Sequence, residues 1–126
     1  MKILFVCVGN SCRSQMAEGL ARALSAGRHE VWSAGTHPMI RVSPEAVQVL
    51  AERGIDISAH RPKSIAEAPD DVDLEVTLCE DRCPTLRANS REHWPTPDPY
   101  GGTVGDFRAA RDQIEARVRD LLERLD

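Results

Sequence analysis

The stretch Lys2 to Val6 (KILFV) is a β-branched and aromatic run that stops abruptly at Cys7-Val8-Gly9-Asn10-Ser11-Cys12-Arg13-Ser14, and a helical pattern begins with no spacer. This junction constrains the fold more than any other feature of the chain. A short buried strand that turns directly into a helix is the opening of an α/β unit, and in such sheets ligands bind where strands end and helices begin. From Ser14 to Ser25 the apolar positions Met16, Leu20, Ala23 and Leu24 recur at helical spacing, with Gly27 as a stop. Glu30 to Ser33 reads as a second strand closed by Ala34-Gly35, and Leu74 to Leu78 as a third. Ser43-Pro44 pairs an N-cap with proline at the first helical position, opening a helix that carries Ala46, Val49 and Leu50 and stops at Gly54. A short fourth strand is expected around Glu92 to Trp94. From Phe107 the positions Ala110, Ile114, Val118, Leu121 and Leu125 trace one face of a long terminal helix. The expectation is an α/β fold: a four-stranded parallel sheet flanked by helices, with residues 1–126 as one domain.

Composition narrows the partners. Sixteen basic residues against twenty acidic ones, a net charge of −4, exclude the cationic surface of a non-specific nucleic-acid binder. No apolar run approaches the roughly 18 to 20 residues that span a bilayer, and the N-terminus lacks a signal-peptide cleavage pattern. The expectations are therefore a cytoplasmic monomer, no nucleic acid and no membrane.

The loop itself carries chemistry. Cys7 and Arg13 stand in a Cys-x5-Arg arrangement, and Val8, Gly9, Asn10, Ser11 and Cys12 between them can curl so that their N–H groups converge on an anion at a helix N-terminus. Gly9 and Asn10 admit backbone angles that other residues resist. Arg13 adds a bidentate fork for a tetrahedral oxyanion. A thiol at the floor of such a cradle meets converging dipoles and a guanidinium, all of which favour the thiolate nucleophile. The four cysteines, at 7, 12, 79 and 83, also have spacings that zinc tolerates. A four-thiol zinc module stays as an alternative, weakened because the first pair lies within the anion loop. The histidines show no metal-ligand spacing.

CVGNSCRSQMAEG resembles the phosphate-binding loop and first helix of the low-molecular-weight protein tyrosine phosphatase superfamily. The resemblance continues through SAGT at 33–36, SPEAVQVLAERGIDIS at 43–58, VTLC at 76–79, EHW at 92–94 and DP at 98–99. It implies that Cys7 is the nucleophile, Arg13 the oxyanion-binding arginine, Asp98 the general acid, and Ser14 the hydroxyl that hydrogen-bonds the thiolate. Two chemistries share this superfamily: hydrolysis of phosphotyrosine, and reduction of arsenate with phosphate or sulfate as competing oxyanions. Reduction needs a second thiolate to attack the Cys7–arsenic adduct and a third to carry the disulfide outward. VTLC-x3-C is similar to the reductase branch, which makes Cys79 the resolving thiol and Cys83 the third. The spacing is shorter than in thioredoxin-coupled relatives, so the reductant is left between thioredoxin, glutaredoxin and a low-molecular-weight thiol. No organic cofactor is implied.

Some members of the superfamily hold potassium through an Asn, a Glu, a Ser and further oxygens. Asn10, Glu18 and Ser33 match, but Arg61 and Lys63 stand where later ligands would, so no metal is expected. Cys12 reads as a packed thiol or as a partner that shields Cys7 from oxidation. His37-Pro38-Met39-Ile40 is expected at the rim of the site. Its lack of an aromatic wall favours a small inorganic anion over a phosphotyrosine, and Arg61 and Lys63 are candidates for the same rim.

Overall fold

A computed structural model of the chain describes residues 1–80 and 88–126. The apolar run at the N-terminus forms β1 (Lys2–Cys7), and its alternate side chains serve opposite faces of one sheet. Ile3 and Phe5 point into the larger core, Leu4 and Val6 into a smaller one. The chain continues through α1 (Arg13–Ser25), β2 (Glu30–Gly35), α2 (Pro44–Ala51), a 3-10 turn (Ile65–Glu67), β3 (Leu74–Thr77), β4 (Ser90–His93) and α3 (Val104–Leu125). The strands lie in the order β2-β1-β3-β4, and every pairing is parallel. This is the expected α/β architecture.

Its two faces are covered differently. Met16, Leu20, Val49, Leu50, Phe107, Ile114 and Val118 bring all three α-helices into one cluster with Ile3, Phe5 and Val76. Ile65, Ala68 and Val72 cover Leu4, Val6 and Ala34 on the other face. Phe5 and Trp94 meet in the large core at 5.8 Å between ring centroids, a tilted aromatic contact. Among the described residues no helix is long and apolar enough to cross a membrane.

Several boundaries differ from the expectation. α3 begins at Val104, not Phe107, because Thr103 and Asp106 form a reciprocal capping box that extends the helix beyond its apolar stripe. Arg111 is buried within that stripe, its guanidinium donating to the Val49 carbonyl at 3.0 Å and pairing with Glu52 at 2.7 Å, which ties α3 to the end of α2. β4 starts two residues early, at Ser90, as an exposed edge strand with little apolar character. Ser43 is the N-cap of α2 with Pro44 next to it, as expected, and its carbonyl accepts from the Ala46 and Val47 amides, but its side chain makes no cap hydrogen bond. Its hydroxyl turns to Ser11 and Cys12.

Strand order decides where a site can form. From β1 the chain steps outward to β2, then returns to the other side of β1 for β3. The direction of winding therefore reverses at the carboxyl end of β1, which opens a crevice there. Cys7 ends β1 at that point.

Candidate active site

Residues 7–13 leave β1 and wrap into the start of α1. The carbonyls of Cys7, Val8, Gly9 and Ser11 accept hydrogen bonds from the amides of Thr36, His37, Met39 and Ser43, at 2.8–3.2 Å. A trans peptide directs the next N–H opposite to its carbonyl. The amides of Val8, Gly9, Asn10 and Cys12 are thereby turned toward the inside of the loop, and Asn10 N–H does meet Cys7 Sγ at 3.2 Å. The left-handed residue of the loop is Asn10, with φ 49°. Gly9 serves by its size: a Cβ there would come within 2.9 Å of Met39. Gly35 likewise lets the loop close against β2, since a Cβ would meet the Val8 carbonyl at 2.7 Å.

The loop encloses a cavity of about 130 Å³, lined by Cys7, Val8, Gly9, Ser11, Cys12 and Arg13, with His37 and Met39 on one wall and Asp98 and Tyr100 on the other. That is the space of about four water molecules. Arg13 is held rigidly. Its Nη1 donates to the carbonyls of Leu78 and Thr96 at 3.2 and 3.0 Å, and its Nη2 lies 3.5 Å from Asp98 Oδ2. Among the described residues its buried Nε has no partner. Asp98 is half exposed and accepts from the Tyr100 amide at 3.1 Å.

Behind the cavity floor, Asn10 and Ser14 are fully buried and line no part of it. The hydrogen bonds there have a defined direction. Asn10 Oδ1 accepts the Lys63 backbone N–H at 2.8 Å, an unambiguous donor, so the other end of that amide is its NH₂ group. Nδ2 then donates to Ser14 Oγ at 2.7 Å and to Ser33 Oγ at 3.0 Å. Ser33 in turn donates to the Glu18 carboxylate. With its oxygen already accepting from Asn10, Ser14 is free to donate its own proton to Cys7 Sγ, 2.8 Å away. Cys7 Sγ thus meets two donors, Asn10 N–H and Ser14 O–H.

The other cysteines fall into different settings. Cys12 is buried against the Ser43 hydroxyl at 3.0 Å, and burial pushes its thiol up to about 11. Cys7 and Cys12 are both free thiols, not bonded to one another. At pH 7 Cys12 is held as the unreactive thiol. Iodoacetamide is therefore expected to leave Cys12 unmodified in the native protein below about pH 10, as read by peptide mass, and to modify it readily once the chain is denatured. Cys79 follows β3 at the same sheet end as Cys7, since β3 pairs directly with β1 (Val6 opposite Thr77) and Leu78 N–H donates to the Val6 carbonyl at 2.9 Å. Cys79 is buried and disulfide-bonded. Cys83 lies outside the described residues.

One expectation about the rim changes. Arg61 and Lys63 do not line the cavity. They lie beside Glu18 and Arg22, near β2. Residues 37–40 bring His37 and Met39 to the wall and no aromatic, as expected, and the aromatic there is Tyr100, which follows Asp98-Pro99 in the proline-rich segment 94–102. Gln15 was missed in the sequence: its amide joins Asn10 Oδ1 and the Arg61 carbonyl, both at 3.0 Å. Its partners are remote along the chain, and no local pattern marks it.

A family model described as low molecular weight phosphotyrosine protein phosphatase matches residues 2–126. The chain belongs to that family. Within it, the chain is 42% identical to a protein of Staphylococcus aureus (strain Newman) named arsenate reductase, over 97% of this chain and 96% of the relative. A solved structure described as an arsenate reductase in the phosphate binding state superposes with a TM-score of 0.92 and 38% identity, covering 99% of this chain and 98% of that one. The low molecular weight protein tyrosine phosphatase from T. tengcongensis superposes at 0.85 with 32% identity, over 98% of this chain and 99% of that one. The phosphatase family therefore contains similar proteins named for both chemistries.

Proposed function

We propose that this member of the phosphatase family reduces arsenate to arsenite with thiol electrons. Cys7 thiolate attacks arsenic while the loop amides and Arg13 hold the oxyanion, and Asp98 protonates the departing oxygen, which leaves as water. Cys79 thiolate then attacks Cys7 sulfur. A Cys7–Cys79 bond forms, the sulfur–arsenic pair stays on arsenic, and arsenite leaves two electrons richer. Cys83 displaces Cys7 from Cys79, and the resulting Cys79–Cys83 disulfide is reduced by an external reductant: the dithiol of a thioredoxin or a glutaredoxin, or two equivalents of a small thiol.

The observation that carries this reading is the position of Cys79, a buried, disulfide-bonded cysteine at the sheet end where the Cys7 loop opens, just past the strand that pairs with β1. Hydrolysis by Cys7 alone has no use for it. The names of the similar proteins support the same assignment. A second reading, a tyrosine phosphatase whose remaining cysteines are regulatory, is favoured by Tyr100, which offers an aryl phosphate a face at the cavity wall.

A thiol count separates the two. Fully reduced protein carries four thiols. Mixed with excess arsenate and no reductant, it is expected to lose about two per chain, one disulfide, and to keep all of them with phosphate. Retention of every thiol with arsenate, together with hydrolysis of an aryl phosphate, would make the protein a phosphatase.

A further inference from the structure

The oxygens matched to the potassium ligands of other family members are already committed here. Asn10 Oδ1 receives two N–H donors, from Gln15 and from the Lys63 backbone. Ser33 donates to one Glu18 oxygen, and Arg22 pairs with the other at 2.7 Å. The Arg61 carbonyl accepts from Gln15 and, at 3.3 Å, from Lys63 Nζ. The Lys63 ammonium itself stands 3.6 Å from Glu18 Oε1. A bound cation needs free lone pairs and no competing positive charge, and this donor set provides neither. The residues do not fit the ion.

We propose instead that Lys63 is a built-in counter-cation and a positioning residue for Cys7. Glu18 is 4% exposed, and a carboxylate so deeply buried requires a partner. Arg22 is mostly exposed, whereas Lys63 is largely covered, so Lys63 is the better shielded of the two charges. Its ammonium, 3.6 Å from Glu18 Oε1, orients that carboxylate as the terminal acceptor of the Ser33 hydroxyl. That leaves Ser33 oxygen to receive Asn10 Nδ2, and the same amide group directs the Ser14 proton onto Cys7. Lys63 also supplies the backbone N–H that fixes the orientation of the Asn10 amide. One residue thereby acts at both ends of the chain of hydrogen bonds, and potassium has no place in it. The inference rests on Cys7 being the nucleophile, but not on arsenate being the substrate.

The test is the rate at which iodoacetamide modifies Cys7 at neutral pH, followed by peptide mass in the whole reduced protein, in potassium chloride and in choline chloride. Wild type is expected to react equally in both salts. Lys63→Ala is expected to react roughly threefold or more slowly in choline, with potassium narrowing the gap, and Lys63→Arg to stay within about twofold of wild type. A wild-type rate that rises with potassium would overturn the proposal, as would a Lys63→Ala rate equal to wild type. A deficit that potassium leaves untouched and Lys63→Arg shares would reduce Lys63 to a packing residue and overturn it equally. Should Lys63→Ala fail to fold, the wild-type salt comparison and Lys63→Arg decide alone: salt-independent wild type with a competent arginine variant supports the proposal, and any other result overturns it. Arsenate-dependent thiol loss is scored separately, so failure of the reductase reading leaves this result standing.

Discussion

Cys79→Ser is expected to stop catalytic arsenite production while leaving the first step intact. The attack on arsenic uses Cys7, the loop amides, Arg13 and Asp98, and none of these groups is altered by the substitution. Reduction, in contrast, requires an electron pair to stay on arsenic as a sulfur–sulfur bond forms, and a serine hydroxyl cannot accept that bond. Turnover should fall by about a thousandfold or more, the scale on which loss of a covalent catalyst is felt. Two measurements check it. Arsenite, separated from arsenate by chromatography, should not accumulate with any thiol donor that sustains wild type. Arsenate should still protect Cys7 from iodoacetamide, because the oxyanion still occupies the loop. Cys12→Ser serves as the comparison: its thiol, buried against Ser43 and held protonated, has no assigned step, so turnover should stay within a few-fold of wild type. Steady arsenite release from Cys79→Ser would sink the relay.

The parts of this molecule that were legible in the sequence are those in which a local pattern and a tertiary contact coincide. KILFV followed by the Cys-x5-Arg loop places a strand, a loop and a helix within the first residues, and the structure builds β1, the cavity and α1 there. The apolar stripe of α3 was legible for the same reason. Leu122 escaped that stripe although it is buried, because a helix packed on both a sheet and a second helix buries a wider face than one periodic line. β4 was faint because Ser90–His93 is exposed, and an edge strand needs backbone pairing more than apolar side chains. In the site, the cavity-lining residues came from one contiguous loop, from the rim segment at 37–40 and from the Asp98-Pro99-Tyr100 match. The braces did not. Gln15 meets the Arg61 carbonyl and Asn10 meets the Lys63 amide only because the segment after α2 passes behind the loop, and nothing local in either stretch predicts that passage. Gly9 and Asn10 show the same limit at smaller scale. Both were expected to relieve backbone strain, yet only Asn10 adopts a positive φ, while Gly9 answers to Met39, far along the chain.

Arg13→Lys is expected to lower kcat/KM for arsenate by about 10²–10³-fold, the cost of losing one preorganised oxyanion donor. The guanidinium divides its work between two edges. Nη1 is spent on the Leu78 and Thr96 carbonyls, which clamp the plane. Nη2 faces Asp98, and buried Nε has no partner among the described residues, so this second edge is the one available to an oxyanion. A lysine keeps the charge but offers a single point of donors on a flexible stem. It can satisfy a carbonyl of the clamp or reach the anion, and it cannot do both in fixed geometry. The loss should therefore appear as weakened phosphate competition as well as slower thiol loss with arsenate, because the fork acts on the bound ground state too. A modest fall in stability, about 1–3 kcal/mol, should accompany it, since one buried carbonyl is left without a donor. Denaturant unfolding measures that share. If the activity loss tracked the unfolded fraction alone, or if Arg13→Lys stayed within tenfold of wild type, the oxyanion would have to be held by the loop amides without Arg13, and the rigid clamp on Nη1 would serve only to join the ends of β3 and the proline-rich segment.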